Sequence, residues 1–163
     1  MDKEYIGLLG VLVGSAVIYG MNYLQMRYDD KKEKRKLYSN KLEEAHKIIT
    51  EIRQIYRSEF GNHLRIINNG ITAASNKCEK PIPIDHIKML IDFYAPRLRG
   101  KLEKFEKYRT EYGKMLAICL DADKLDNAKK AKLKHMLSDG SGLIEKFCGE
   151  LQKEISFEAR KYL

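Results

Sequence analysis

The 163-residue sequence contains no tryptophan, only three prolines and only three cysteines. Cys78, Cys119 and Cys148 are odd in number and far apart, and no CxxC pair occurs. This pattern argues against a disulfide framework and a structural zinc site, and it indicates a reducing compartment. The four histidines form no HxxxH or HExxH pair. We therefore expect no metal, no cofactor and no catalytic residues, and we predict that the protein is not an enzyme.

Alternating apolar and polar runs of strand length are also absent, and no glycine-rich phosphate loop follows a candidate strand. Apolar residues instead recur at steps of three and four in three stretches, over residues 38–74, 84–119 and 133–162. Such spacing predicts amphipathic helices that bury their apolar faces against each other. The predicted fold class is all-α, with one N-terminal transmembrane helix followed by a cytoplasmic bundle of three to four long antiparallel helices.

The first apolar stretch has a period near 3.5 residues, which is also the period of a coiled coil. We favour an intramolecular core over a parallel coiled coil, because two further amphipathic stretches of the same chain need covering. No proline occurs between Met1 and Pro81, so the first helix is expected to run nearly unbroken, with a bend near residue 61 or 69. The segment SNKCEKPIP, residues 75–83, predicts a loop.

Pro96 interrupts the second apolar stretch. Because the apolar phase persists across it, we expect a kinked single helix over residues 85–120 with Asp85 as its cap. Two helices joined near Ala95 are the alternative.

Two further positions concern the last helix. Asp126 or Asn127 is its predicted N-cap, because both side chains accept hydrogen bonds from free backbone N–H groups. Gly140 and Gly142 lie inside the third apolar stretch and predict a hinge or a short loop there.

Residues 6–21 carry no charge, unlike the rest of the chain, in which charged residues are frequent. A helix over residues 5–23 would be about 28 Å long, close to the hydrocarbon thickness of a bilayer. Tyrosines stand near both of its ends, as in an interfacial aromatic belt. A buried core helix and a cleaved signal peptide are the alternatives; the first would show a polar face, and the second would follow a basic segment rather than MDKE. We predict an N-terminal membrane anchor, residues 1–24.

Basic residues follow the uncharged run, whereas only Lys3 precedes it. Because positive charge resists translocation, we expect the N-terminus outside and the C-terminal domain in the cytoplasm. The predicted organisation is an anchor (1–24), a basic juxtamembrane segment (25–41) and a helical bundle domain (42–163). The predicted lipid-facing basic flank consists of Arg27, Lys31, Lys32, Lys34, Arg35 and Lys36.

Three glycines of the predicted anchor, Gly7, Gly10 and Gly14, are three and four residues apart and therefore share one helix face. Small residues at this spacing allow a second membrane helix to approach closely. We predict membrane helix packing through this face, with a homodimer as one outcome. The alternative is that the glycines only reflect the general frequency of glycine in membrane helices.

The chain carries a net charge of +8, and two basic clusters lie outside the juxtamembrane segment, over residues 97–114 and 124–134. In the first of them, basic residues alternate with the aromatic residues Phe105, Tyr108 and Tyr112, as on a surface that binds nucleic acid. Phe105 and Tyr112 also belong to the apolar stretch, however, so we expect them in the core. The candidate polyanion contacts are Arg97, Arg99, Lys101, Lys104, Lys107 and Arg109.

These observations predict a single-pass membrane-anchored helical interaction or scaffold protein that acts as an accessory subunit of a membrane-associated complex. Its expected partners are the membrane and another protein. The alternative function is that of a membrane-tethered basic binder of nucleic acid or anionic lipid.

Overall fold

The structure, a computed structural model, describes the backbone of residues 3–69 and 81–162, and side chains from residue 13 onward in these ranges except that of residue 123. Every regular element in this part of the chain is helical. The elements are α1 (Lys3–Asn69), α2 (Ile84–Tyr94), a 3₁₀ turn (Pro96–Leu98), α3 (Arg99–Cys119), a second 3₁₀ turn (Ala122–Lys124) and α4 (Asn127–Ala159). The prediction of an all-α helical bundle is confirmed.

Helix α1 has 67 residues and is therefore about 100 Å long. It continues through Gly61 without a break and ends at Asn69, the other position near which a bend was expected. Along the described side chains, Leu42 is the first that is buried. We call residues 3–41 of α1 the arm, because it precedes the part of α1 that lies in the bundle. The predicted loop at residues 75–83 lies mostly outside the described residues.

Within the described residues, we find no helix whose apolar stretch is long enough to cross a membrane. The side chains of residues 5–12, which belong to the predicted anchor, lie outside the described part of the chain.

The bundle core is built from the three predicted apolar stretches. Helix α1 contacts α4 most extensively, α3 also contacts α4, and α2 covers another side of α1. The core is intramolecular, as we expected for the first stretch. Its most fully buried large side chains are Leu42, Ile49, Ile52, Ile87, Leu90, Ile91, Phe105, Tyr112, Leu137, Ile144, Leu151 and Ile155.

The helices alternate in direction. In the α1–α4 pair, Arg57 bonds Glu145 and Gln152 bonds Thr50, so residue numbers rise along one helix as they fall along the other. The same reasoning makes α2 antiparallel to α3, because Lys88 pairs with Glu106 while Asp92 pairs with Arg99. The result is a bundle of four alternating helices, the second of which is short.

The predicted kinked helix over residues 85–120 is wrong, and the alternative with two helices is correct. Helix α2 ends at Tyr94, and the chain reverses through Ala95 and the turn Pro96–Leu98. The proline ring disfavours a helical conformation at the preceding residue, and Ala95 accordingly has φ −146°. The apolar spacing continues across Pro96 because α2 and α3, on either side of the turn, face the same core.

The predicted hinge at Gly140 and Gly142 is also wrong, since α4 runs continuously from Asn127 to Ala159. Gly140 is buried, and a Cβ atom built on it would lie 2.6 Å from Cδ2 of Tyr112. This glycine therefore allows α3 and α4 to approach closely. No described atom lies within 4 Å of a Cβ built on Gly142.

Of the two predicted helix caps, one is confirmed. Asp126 is the N-cap of α4, and its carboxylate accepts a hydrogen bond of 2.7 Å from the backbone N–H of Lys129. Asp85 is not a cap, because α2 begins one residue earlier, at Ile84, after Pro83. Asp85 lies in the first helical turn, where its negative charge favours the positive end of the helix dipole.

Candidate functional site

Three tyrosines meet where the arm leaves the bundle. The ring of Tyr38 on α1 lies 5.2 Å from that of Tyr94 at the end of α2 and 5.0 Å from that of Tyr162 near the chain end, measured between centroids. The rings of Tyr38 and Tyr94 meet edge to face, a favourable arrangement of aromatic quadrupoles. This contact places Tyr162 beside the arm, although the two are far apart in the sequence.

A groove of about 580 Å³ lies between the arm and Tyr162. Its arm residues follow one another at alternating steps of three and one, which places them on a single face of the helix. We call it the arm groove. It is lined by Tyr28, Lys31, Lys32, Arg35, Lys36, Ser39, Asn40 and Tyr162.

The opposite face of the arm has a different composition. Asp30, Glu33, Lys34 and Leu37 line a smaller hollow there. Arg27 lies elsewhere, with its guanidinium carbon 5.3 Å from the centroid of the Tyr23 ring. Four of the six residues predicted as the basic flank therefore share the arm groove, and Arg27 and Lys34 do not.

The four cations of the arm groove, Lys31, Lys32, Arg35 and Lys36, form no ion pair within the described part of the chain, whereas Lys88, Arg99 and Lys101 of the bundle each pair with an acid. The adjacent Lys41, for example, lies 2.8 Å from Glu44, which holds the pKa of that lysine above its usual value. Unpaired cations on one concave face attract an anion of matching size. The arrangement is chemically suited to holding phosphate or carboxylate groups.

The second predicted basic surface is divided by the structure. Lys101, Lys104 and Lys107 line a groove of about 530 Å³ with Tyr108 and Phe147, whose rings lie 4.8 Å apart. Glu111 and Glu150 line the same groove.

The other three candidate polyanion contacts lie elsewhere. Arg97 is exposed on the hairpin turn, Arg99 pairs with Asp92 at 2.6 Å, and Arg109 is half-buried near Tyr56. The structure therefore does not bring the six candidates together on one surface. Phe105 and Tyr112 are buried, as expected from the apolar stretch.

The predicted glycine face of the arm is described only in part. Gly7 and Gly10 lie outside the residues with described side chains. Around Gly14, no described atom lies within 4 Å of an added Cβ, so this position is open to a second helix.

Two of the cysteines are buried free thiols. Desolvation raises the pKa of both Cys119 and Cys148 to about 11, so both are protonated near neutral pH. Cys78 lies outside the described residues. Among the side chains that the structure describes, no group of three or more histidine, cysteine, aspartate or glutamate residues is arranged to hold a metal ion.

No protein family, curated protein or solved structure matches the chain. The interpretation of its surfaces therefore depends on their geometry and charge.

Sequence reasoning identified the cations of the arm groove but not the residues that complete it. Ser39 and Asn40 continue the spacing of Lys31, Lys32 and Lys36, so this pattern could have revealed them. Tyr162 could not be found in this way, because it reaches the groove only through the antiparallel contact of α4 with α1.

Proposed function

We propose that the protein is a single-pass membrane-anchored interaction protein whose bundle acts as an accessory or scaffold subunit of a membrane-associated complex. The observation that carries this proposal is the exposure of the apolar residues between positions 13 and 24 of the arm. Val13 is 61% exposed and Leu24 is 67% exposed, and the apolar residues Val17, Ile18 and Met21 between them are exposed as well. Within the described part of the chain, nothing covers them.

Residues 13–26 of the arm are apolar or uncharged on every side of the helix, since no charged residue occurs among them. A partner helix covers one stripe of such a helix, whereas lipid surrounds it completely. The sequence before Val13 adds a further apolar run, so a helix over residues 5–23 would span about 28 Å. This length supports one membrane crossing.

The charge distribution supports an orientation with the bundle in the cytoplasm. All the cations of the arm groove lie between the apolar part of the arm and the bundle. Loops rich in lysine and arginine remain on the cytoplasmic side during insertion. The N-terminus would then lie outside.

The proposed role of the bundle is to present a rigid surface to a partner in the same membrane. Confinement near the bilayer raises its effective concentration for other membrane proteins. Apolar side chains that the bundle itself does not use are available for contact, among them Met89 and Phe93, which lie one turn apart on α2. Phe93 is 72% exposed.

Extraction of membranes tests the anchor. The full-length protein should stay in the membrane pellet at alkaline pH, whereas the variant Val13→Arg/Val17→Arg should be released, because each arginine costs about 3 kcal/mol in a bilayer centre. The matched control, Ile118→Arg/Leu120→Arg, changes two exposed apolar residues of the bundle and should remain in the pellet. Release of the wild-type protein would overturn the proposed anchor.

Affinity purification tests the accessory role. The full-length protein in mild detergent is expected to retain a membrane protein in stoichiometric amount, as measured by mass photometry and mass spectrometry. The Val13→Arg/Val17→Arg variant should lose this protein if confinement to the bilayer matters. A wild-type protein recovered only as a monomer or a homodimer would argue against an accessory subunit.

A further inference from the structure

We propose that the arm groove binds a phosphate-bearing polyanion, which in a membrane is the phosphorylated headgroup of an anionic lipid. The membrane source of the ligand rests on the proposed function, because it takes the arm to lead into a bilayer. The groove itself lies entirely within the described residues.

The charge in the groove suits more than one phosphate group. Lys31 and Lys36, the first and last of its four cations, are separated by about 8 Å along the helix axis, from the rise per residue of an α-helix. The acids Asp30 and Glu33 of the same segment line the opposite hollow instead. Asp30 and Glu33 are thus kept away from a ligand in the groove, and Asp29, which accepts a hydrogen bond from Gln25, is not part of its lining.

Neutral hydrogen-bond donors complete the groove. Tyr28 and Tyr162 contribute phenol hydroxyls, and Ser39 and Asn40 contribute a hydroxyl and an amide. In the described part of the chain, no side-chain hydrogen bond joins any of these four groups to another residue. Phosphate oxygens accept hydrogen bonds from both cationic and neutral donors, so the lining matches this ligand chemistry.

The other basic groove is a weaker candidate for the same ligand. Glu111 and Glu150 lie in its lining, and Lys101 is already paired with Glu154 at 2.5 Å. These carboxylates oppose an anion there. The arm groove has no carboxylate side chain in its lining.

The position of the groove along the arm also fits a headgroup. If the membrane span ends at Tyr23, Tyr28 lies about 8 Å and Lys32 about 14 Å beyond it, from the rise per residue. The headgroup layer is roughly 6 Å thick on each side of a bilayer. The backbone of the four cations therefore lies about 6–14 Å above this layer, a distance that long basic side chains and phosphates on the inositol ring of a lipid can bridge together.

The test is a titration of the full-length protein in detergent, followed by microscale thermophoresis. Two phosphate probes are used, free inositol trisphosphate and the same headgroup carried on a short-chain dioctanoyl lipid, and single-stranded DNA is titrated beside them for comparison. The variant Lys31→Gln/Lys32→Gln/Arg35→Gln should bind both phosphate probes roughly 100-fold more weakly than the wild type, because each basic side chain contributes about a factor of five to the affinity. All three side chains are exposed, so the fold should persist, as circular dichroism can verify.

A matched control removes the same charge at exposed positions outside the groove, in the variant Lys34→Gln/Lys132→Gln/Lys146→Gln. Its affinity should change by no more than about threefold, because distant surface charges are screened. A second variant, Tyr28→Ala, leaves the charge unchanged and should still weaken binding, because it removes one wall of the groove.

The two probes identify the source of the ligand. Equal affinities support a soluble phosphate compound, and tighter binding of the lipid probe supports a membrane headgroup. The proposal is overturned if neither probe binds at millimolar concentration, if both triple variants lose the same affinity, or if single-stranded DNA binds more tightly than both probes. Because the titration needs no bilayer, its failure is distinguishable from failure of the proposed anchor, which the alkaline extraction reports.

Discussion

At Gly140 the ring of Tyr112 occupies the space that any other residue would need for its Cβ. The sequence indicated only that glycine is permissive there, and a permissive residue inside a helix is normally a weak point. The structure shows the opposite role, since the missing side chain lets two helices approach. The difference could not be predicted, because Tyr112 lies on another helix.

Replacing Gly140 with alanine should lower the free energy of unfolding by about 1–3 kcal/mol, the range found for overpacked cores. The Tyr112 ring is buried and would lie 2.6 Å from the added Cβ, so the ring or one of the two helices has to shift. Urea denaturation of the full-length protein in detergent, followed by circular dichroism, measures this change.

Gly142→Ala is the matched control on the same helix. No described atom of another element lies within 4 Å of its Cβ position. The free energy of unfolding of this variant should therefore rise by about 0.5–1 kcal/mol, because alanine has a better helix propensity than glycine. Equal effects of the two substitutions would contradict the close-approach role of Gly140.

The buried thiols make stability depend on alkaline pH. Burial raises the pKa of Cys119 and of Cys148 from 9.0 to about 11, and it raises the pKa of Tyr112 from 10.0 to about 12. The stability that these protonated groups contribute to the folded state is fully present below pH 9. It is lost as the pH rises, because the same groups ionise at a lower pH in the unfolded chain. The urea concentration at the unfolding midpoint should therefore decrease as the pH is raised from about 9 to about 11.

A variant with both thiols removed, Cys119→Ala/Cys148→Ala, tests the cause. Its urea midpoint below about pH 9 should be lower than that of the wild type, because core contacts are lost. Above about pH 9 this midpoint should decrease less steeply with pH than that of the wild type. A wild-type midpoint that stays constant up to pH 11 would show that the buried thiols do not control this range.

Between elements, the α1–α4 contact is secured by charged groups as well as by the core. Glu145 on α4 pairs with both Arg53 and Arg57 on α1, and these pairs hold the pKa of its carboxyl below the usual value. Lys101 and Glu154 make a comparable link between α3 and α4. No sequence pattern could predict these pairs, because their partners are widely separated along the chain.

Glu145→Gln should lower the free energy of unfolding by about 1 kcal/mol near neutral pH, the upper range for partly exposed pairs. The difference from wild type should shrink as the pH falls from 4.5 through the lowered pKa of the folded Glu145 carboxyl, because the unfolded chain takes up this proton first. Urea denaturation at several pH values measures both effects.

Glu43→Gln is the comparison variant, because Glu43 pairs only with Lys47 on its own helix and both side chains are exposed. Its loss of stability should be smaller than that of Glu145→Gln, because an exposed pair within one helix contributes little. A larger loss for Glu43→Gln than for Glu145→Gln would show that the interhelical pairs do not contribute as described.

The sequence predicted the elements better than their connections. The apolar stretches located most of the core, including Leu42, Ile49 and Leu137, because helical periodicity is a local signal. The hairpin at Pro96 was missed, since a kinked helix and a helix pair give the same apolar phase. In the arm groove the cations were predicted, and helical spacing alone separates them from Lys34, whereas the closure of the groove by Tyr162 depends on a tertiary contact.

For the whole molecule, the alternating helices place the α2–α3 turn and the chain end at the same end of the bundle as the arm. The contacts of Tyr38 with Tyr94 and Tyr162 establish this arrangement. If the arm is anchored as proposed, this end faces the bilayer, and the opposite end, near Ile67 and Ala122, points away from it.

Protease protection in sealed microsomes checks the proposed orientation. A tag at the C-terminus should be digested by protease added outside, and a tag at the N-terminus should be digested only after detergent is added. The basic arm groove on the bundle side of the apolar run is the physical reason. Survival of the C-terminal tag, with a lumenal marker also intact, would reverse the assignment.

The continuity of α1 leaves no joint between the proposed membrane span and the core. The middle of the core, near Ile55, lies about 48 Å beyond Tyr23 along a straight helix. Membrane helices tilt by about 20° on average, so such a tilt would carry the core about 16 Å sideways over the bilayer surface. A bilayer thinner than the span favours a larger tilt, and it would then carry the bundle further from its point of insertion.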